Sequence, residues 1–332
     1  MPTILCSGSD GPLEESRDGL GEIRSRYPTF DVVSNPHQLV YPDEGDGFQV
    51  ILQLLEQYEE HSVTYIAIGP LTNLARLMER DSKLLSTKVE SVFCMGGALD
   101  VPGNTSSVAE YPYAARNLLG PEPPYEFPLP LDRFFLLPLD ITTNHQLPFP
   151  IYKERVDPRF ESATSSARPI TEFTSAFLAH TRKTMNQFGS DAMELHDIVA
   201  VWCAIHFHSF SNETSIKETR VPGWSAVQRV FDIERTGELT RGMLVVDRRE
   251  DISAYASGAN RAKVQAELDQ MHRSDKSNLK SVVVPAHVPP QHDPWTKSVG
   301  DKSRSIWCIS ETPGTEALLK LLLERVWGVS ID

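Results

Sequence analysis

Polar side chains gather where the apolar runs of this chain stop. Pro70-Leu71-Thr72 closes the run VTYIAIG, Gly96-Gly97 follows VESVFCM, and Asp140-Ile141-Thr142-Thr143 follows FFLLPL. His196-Asp197 heads an apolar stretch of helical character. Hydroxyls, carboxylates and an imidazole in such places can hold a small polar ligand; by themselves they define a polar crevice and no particular reaction. Each also has an ordinary structural role. Thr72 and Asp197 stand where helix N-caps stand. His196 suits a hydrogen-bonded loop histidine, Asn104 after Gly103 a turn, Glu110 a solvated surface, Met95 a core position at a strand end, and Asp140 a turn former. His206 and His208 lie two apart on a predicted helix, so they do not share a face and make a poor metal pair. There is no GxSxG elbow, which disfavours an unrelated α/β hydrolase, and Gly96-Gly97 matches neither nucleotide-binding fingerprint.

The elements that must carry these residues share one grammar. Residues 63–69, 89–95 and 134–139 are short, apolar and rich in β-branched or aromatic side chains, as buried strands are. The first leads into a helix predicted over 73–80, with Leu74, Leu77 and Met78 at helical spacing. An amphipathic helix is predicted over 47–58, others over 170–185 and 197–207, and a Leu-rich last helix over 315–326. Residues 227–234 and 239–247 flank Arg235-Thr236-Gly237-Glu238 as a hairpin would. Residues 269–304 are polar and aperiodic and read as a long surface loop. Buried strands alternating with helices predict one domain over 1–332, built on an open, mostly parallel α/β sheet with helices on both faces. Ligands of such sheets sit in the crevice outside the carboxyl ends of the strands, where the polar residues lie.

Bulk properties narrow the partners. With 45 acidic against 32 basic residues the net charge is −13, which repels nucleic acid and suits a small neutral substrate. Cys6, Cys94, Cys203 and Cys308 form no CxxC pair, which argues against a zinc site or a disulfide framework and favours a reducing, cytoplasmic setting. No apolar run reaches the roughly 18 residues of a membrane helix, and residues 1–8 lack the character of a signal peptide.

Taken together, the strand-end motifs resemble the inosine–uridine-preferring nucleoside hydrolases over nearly the whole chain. The resemblance rests on Asp10–Leu13 with Asp18-Gly19-Leu20-Gly21, on Ala67-Ile68-Gly69-Pro70-Leu71-Thr72-Asn73-Leu74-Ala75, and on Met95-Gly96-Gly97-Ala98. It continues through Pro102-Gly103-Asn104, Ala109-Glu110, Pro138-Leu139-Asp140-Ile141-Thr142, His196-Asp197 and residues 239–247, in the family's order. It implies a Rossmann-like core and hydrolysis of the N-glycosidic bond of purine or pyrimidine ribonucleosides to ribose and free base. It implies a calcium ion bound by Asp197 and the Thr72 carbonyl, and a His196 that protonates or steadies the departing base. Asn104 and Glu110 would hydrogen-bond ribose hydroxyls, and Met95 would lie against the sugar.

The pattern also departs from the family. The DTDPGxDDA strand end, which supplies the family's general base and most calcium ligands, does not occur, nor does the glycine–asparagine motif of the next strand. After Glu110 the family's ribose-binding asparagine is replaced by Pro112, and Glu15 stands where the family's HGxDG loop has histidine. The resemblance therefore implies a chain that enters the family's order near its third βα unit, without the first strands. It also implies an exposed apolar strand edge, a calcium shell short of the roughly 6–8 oxygens required, and weak activity. A catalytically inactive ribose- or nucleoside-binding paralogue and an incomplete gene model are the competing expectations; homo-oligomerisation stays open.

Overall fold

The structure, a computed structural model, describes residues 47–101, 103, 118–119, 123–162, 168–210, 222–234, 240, 242–246 and 305–330. Hydrophobic periodicity sets the first elements. In α1 (Gly47–Glu56) Phe48, Leu52 and Leu55 recur every three or four residues and are buried along one stripe. β1 (Val63–Ala67) follows, and then α2 (Thr72–Lys88), which is broken at Asp81, where the backbone is extended. β2 (Val89–Met95) and β3 (Phe134–Leu137) are nearly continuous apolar runs, as strands covered on both faces must be.

The predicted strand over 134–139 stops earlier. Pro138 cannot extend the ladder, and Leu139–Thr142 forms a one-turn helix, α3. Beyond it come β4 (Gln146–Pro148), α4 (Phe149–Arg155), α5 (Pro169–Gln187), β5 (Ala192–Glu194) and α6 (His196–Phe210). β6 (Ser225–Arg229), β7 (Phe231–Ile233), β8 (Leu244–Val246) and β9 (Ile306–Glu311) precede α7 (Thr315–Leu322), which runs into a π-helical turn at Leu323–Trp327. The predicted hairpin is found in part: its first arm, 227–234, divides between the end of β6, which pairs with β9, and β7, which pairs antiparallel with β8. Its tip and the 269–304 stretch lie outside the described residues.

The central sheet has the order β1-β2-β3-β9-β6. The first four strands are parallel, and β6 closes the far edge antiparallel to β9. β4 and β5 form a separate two-stranded ribbon. Side chains alternate across the sheet and so build two cores. Val92, Cys94 and Leu136 face α1 and α2, whereas Phe93, Phe135 and Leu137 face α6 and α7. The Phe93 and Phe135 rings are paired across β2 and β3 and stack with centroids 4.9 Å apart; Phe207 of α6 tilts onto both, at 5.7 and 5.3 Å. These contacts lay α6 over β2 and leave its first residue, His196, toward the strands' carboxyl ends. Cys94, Cys203 and Cys308 are buried and in no disulfide. None of the described helices is long and apolar enough to cross a membrane.

Candidate functional site

Hydrogen bonds continue past the ends of β2 and β3 and shape the rim of the crevice. Gly96 N–H donates to Leu137 O at 3.2 Å, and Leu139 N–H donates to Gly97 O at 2.8 Å. Gly97 has φ +77°, and a Cβ there would stand 2.4 Å from Leu244 Cδ1, so β8 presses against this turn. Asp140 is no mere turn former. Its carboxylate accepts the backbone N–H groups of Leu99, at 2.8 Å, and Asp100, at 2.6 Å, and so grips the loop that leaves β2. Met95 ends β2 and packs against the core on the α6 side, opposite Leu137 in the ladder.

His196 stands at the head of α6 with both ring nitrogens engaged. Nδ1 lies 2.9 Å from Thr142 Oγ1, and Nε2 lies 2.9 Å from Glu194 Oε2. Thr142 belongs to α3 at the end of β3, and Glu194 ends β5, so two separate elements hold one imidazole. A further histidine ties those elements together. His145 is buried; its Nδ1 meets the Ile141 carbonyl at 3.0 Å, and its Nε2 meets Thr312 Oγ1 at 2.8 Å. A carbonyl only accepts, so Nδ1 carries the hydrogen, and burial lowers the pKa of His145 below its ordinary value, which keeps the ring neutral. Nε2 is then the acceptor, and the Thr312 hydroxyl donates to it. The His145 carbonyl in turn accepts Leu195 N–H at 2.8 Å, immediately before His196. The turn ahead of β5 is fixed by Arg182, whose guanidinium forks onto both Asp191 oxygens at 2.7 and 2.9 Å.

Asp197 lies in the first turn of α6, where the helix dipole favours a negative charge. Partial burial pushes its carboxyl above the ordinary aspartate value, and neighbouring His196 pulls it back. Thr72 is the first helical residue of α2. The N-cap position belongs to Leu71 and makes no side-chain capping bond, and Thr72 Oγ1 is buried without a partner. The capping role open to Thr72 is therefore not the one its hydroxyl plays. α2 packs on one face of the sheet and α6 on the other. Met95, Thr142 and His196 share the α6 side. Asn104 and Glu110 lie outside the described residues. Sequence reasoning passed over Glu194, although its position two before His196 was a usable signal, and it quoted Thr142 without a role.

The calcium ion implied by the resemblance can be weighed against the donors present. Among the described residues no group of three or more His, Cys, Asp or Glu side chains comes together. Asp197 and the Thr72 carbonyl offer at most three oxygens where calcium takes roughly 6–8, so the described residues alone do not fit that ion. A cavity of about 660 Å³ runs between α6 and α7, lined by Ile198, Val201, Trp202, Ile205, Leu318 and Leu322, with His206 and Arg325 as its main polar groups. Its walls are largely hydrocarbon, and Thr72, Met95, His196 and Asp197 are not among them. It is not the crevice in which those residues were expected to meet.

Comparison with known proteins places this architecture. The family model described as inosine-uridine preferring nucleoside hydrolase matches residues 3–275. The inosine-uridine preferring nucleoside hydrolase of Leishmania major is 29% identical over 245 residues, which cover 74% of this chain and 69% of that one. An uncharacterized protein of Schizosaccharomyces pombe is 27% identical over 211 residues, or 62% of this chain and 58% of its relative. The chain thus matches 58% and 69% of these two relatives' lengths. A solved inosine-guanosine nucleoside hydrolase superposes with a TM-score of 0.55 at 19% identity, covering 99% of this chain and 82% of that one, a likeness of fold. With a match that takes in residues from the strand-end turns through His196-Asp197 to β8, the chain belongs to the inosine-uridine preferring nucleoside hydrolase family.

Proposed function

We propose that this chain acts on ribonucleosides, cleaving the bond between ribose and base, in a reducing cytosolic setting. The observation that carries this reading is the imidazole of His196, held at the carboxyl ends of the parallel strands by Thr142 and Glu194, in a chain of this family. As the C–N bond breaks, positive charge builds on the ribose and negative charge on the base. Turned from Glu194 toward the base, the Nε2–H of His196 can donate a hydrogen bond or a proton to it. Met95 would lie against the sugar, and Asn104 and Glu110 would bind its hydroxyls. Asp197 and the Thr72 carbonyl would face a calcium ion, whose shell the described residues do not complete. A net charge of −13 supports a small neutral substrate over nucleic acid.

A second reading, a protein that binds nucleosides without turning them over, is favoured by the lack, among the described residues, of any group of three or more His, Cys, Asp or Glu side chains able to hold a metal ion. One experiment separates the two. The purified 332-residue protein is titrated with inosine and with uridine by calorimetry, while release of free base is followed in the ultraviolet, with calcium present. The expected result is saturable heat with slow release of base, about 10²–10⁴-fold below a family member that retains a water-activating carboxylate. Any measurable turnover should fall in His196→Ala, more for inosine than for an activated aryl riboside, which leaves with less help. Heat without base supports the binding protein, and neither heat nor base removes the proposal.

A further inference from the structure

His196 is approached by two groups of different chemistry. Glu194 Oε2 sits 2.9 Å from Nε2, and a carboxylate can only accept. Thr142 Oγ1 sits 2.9 Å from Nδ1, and a hydroxyl can donate or accept. The carboxylate therefore chooses where the ring hydrogen lies, and the hydroxyl follows: Nε2–H faces Glu194, and Thr142 O–H donates to Nδ1. Thr142 is 0% exposed, so its hydroxyl has little alternative to this bond, whereas the Glu194 and His196 side chains remain 31% and 27% exposed. We propose that Glu194 and Thr142 are positioning residues for His196, Glu194 by fixing its tautomer and Thr142 by fixing the orientation of its ring.

The backbone supports the same division. Glu194 is paired in the β4–β5 ribbon opposite Gln146, and β4 begins just after His145, which is clamped to Ile141 and Thr312. Thr142 sits on the one-turn helix whose Asp140 grips the β2 loop. The imidazole is thus suspended between two rigid mounts, and its two nitrogens are treated differently by them. The functional meaning of this arrangement rests on the proposed facing of His196 toward the leaving base, but the arrangement itself does not.

For that reason the test is made on the substrate-free full chain. Long-range proton–nitrogen NMR on protein labelled at histidine reports which ring nitrogen carries hydrogen, with the His196 signals assigned by their loss in His196→Gln. Wild type should show a single Nε2–H tautomer. Glu194→Ala should lower the ratio of the two tautomers by about tenfold, the effect of losing one charge-assisted bond. Thr142→Val should keep the tautomer and shift Nδ1 toward the value of a nitrogen without a donor, and Thr142→Ser should restore it. Because valine at a buried site can disturb folding, the partly exposed Glu194→Ala and the rescue by serine carry the decision. His196 signals unchanged in Glu194→Ala, or a wild-type ring that holds its hydrogen on Nδ1, would overturn the inference. Failure of inosine binding in the calorimetric experiment would remove the proposed function and leave these ring signals to stand or fall alone.

Discussion

Burial of a histidine between two hydrogen-bond partners makes stability depend on acid. Burial holds the pKa of His145 below its ordinary value of 6.5, so the unfolded chain takes up a proton more readily than the folded one. The stabilisation from this residue is intact above pH 6.5 and drains away as pH falls from there toward the folded-state value. His145→Gln should flatten the fall in melting temperature as pH drops below 6.5; calorimetric curves that stay parallel would show that His145 is not the titrating group. Gly97 gives a second residue-scale prediction. Its φ of +77° is unfavourable for an L side chain, and a methyl group would meet Leu244 Cδ1 at 2.4 Å. Gly97→Ala should cost about 2 kcal/mol in urea unfolding. In a Leu244→Ala background the crowding should vanish and the backbone strain should remain; no difference between backgrounds would mean that β8 does not press on the turn. Much of the rim was legible beforehand, because Met95 and the His196-Asp197 pair fall where apolar runs stop. The grip of Asp140 on Leu99 and Asp100 was not, since its partners lie about 40 residues away in sequence and local pattern carries no such information.

The end predicted for the second helix, at Arg80, coincides with a real discontinuity. Asp81 is extended, at φ −153° and ψ 83°, and its Oδ1 accepts Leu84 N–H at 2.8 Å, which is the geometry of an N-cap three residues ahead of its donor. Asp81 therefore starts a second helical segment inside α2. Asp81→Ala should cost about 1 kcal/mol, and Asp81→Asn only a fraction of that; equal stability of all three proteins would refute the cap. Strands of three residues, such as β4 and β5, are too short to display a period of two, and so the ribbon that carries Glu194 left no trace in the hydropathy pattern. β9 was missed for another reason. Its sequence, IWCISE, follows a long polar stretch, and only the pairing with β3 and β6 reveals it as an interior strand of the sheet. α6 was found but underestimated: it is apolar nearly all round, so its amphipathicity is weak, yet Ile205 is left 57% exposed along the groove shared with α7.

At the scale of the whole molecule, one sheet serves two cores, and among the described residues β1 is its parallel edge, with Ile66 and Ile68 exposed. The alternation of apolar and polar segments was enough to infer a parallel sheet with helices on both faces, because strands covered twice advertise themselves as unbroken apolar runs. The division of labour between the faces could not be inferred, since it depends on which helix crosses which strand. The buried thiols turn this division into a clock. Cys94 and Cys308 lie in the core beneath α1 and α2, and Cys203, on α6, lies in the core on the opposite face of the sheet. Burial pushes the Cys308 thiol up to about 12 and raises Cys203 well above its usual value, so neither reacts appreciably with a disulfide reagent until its surroundings open. Labelling read out by mass spectrometry then times the opening of each layer separately. Because β2 lends alternate side chains to both layers, Cys94, Cys308 and Cys203 should be modified at rates within about twofold of one another, as one cooperative unit. Capture of Cys94 and Cys308 while Cys203 stays reduced would instead reveal a protein that opens like a book along its sheet.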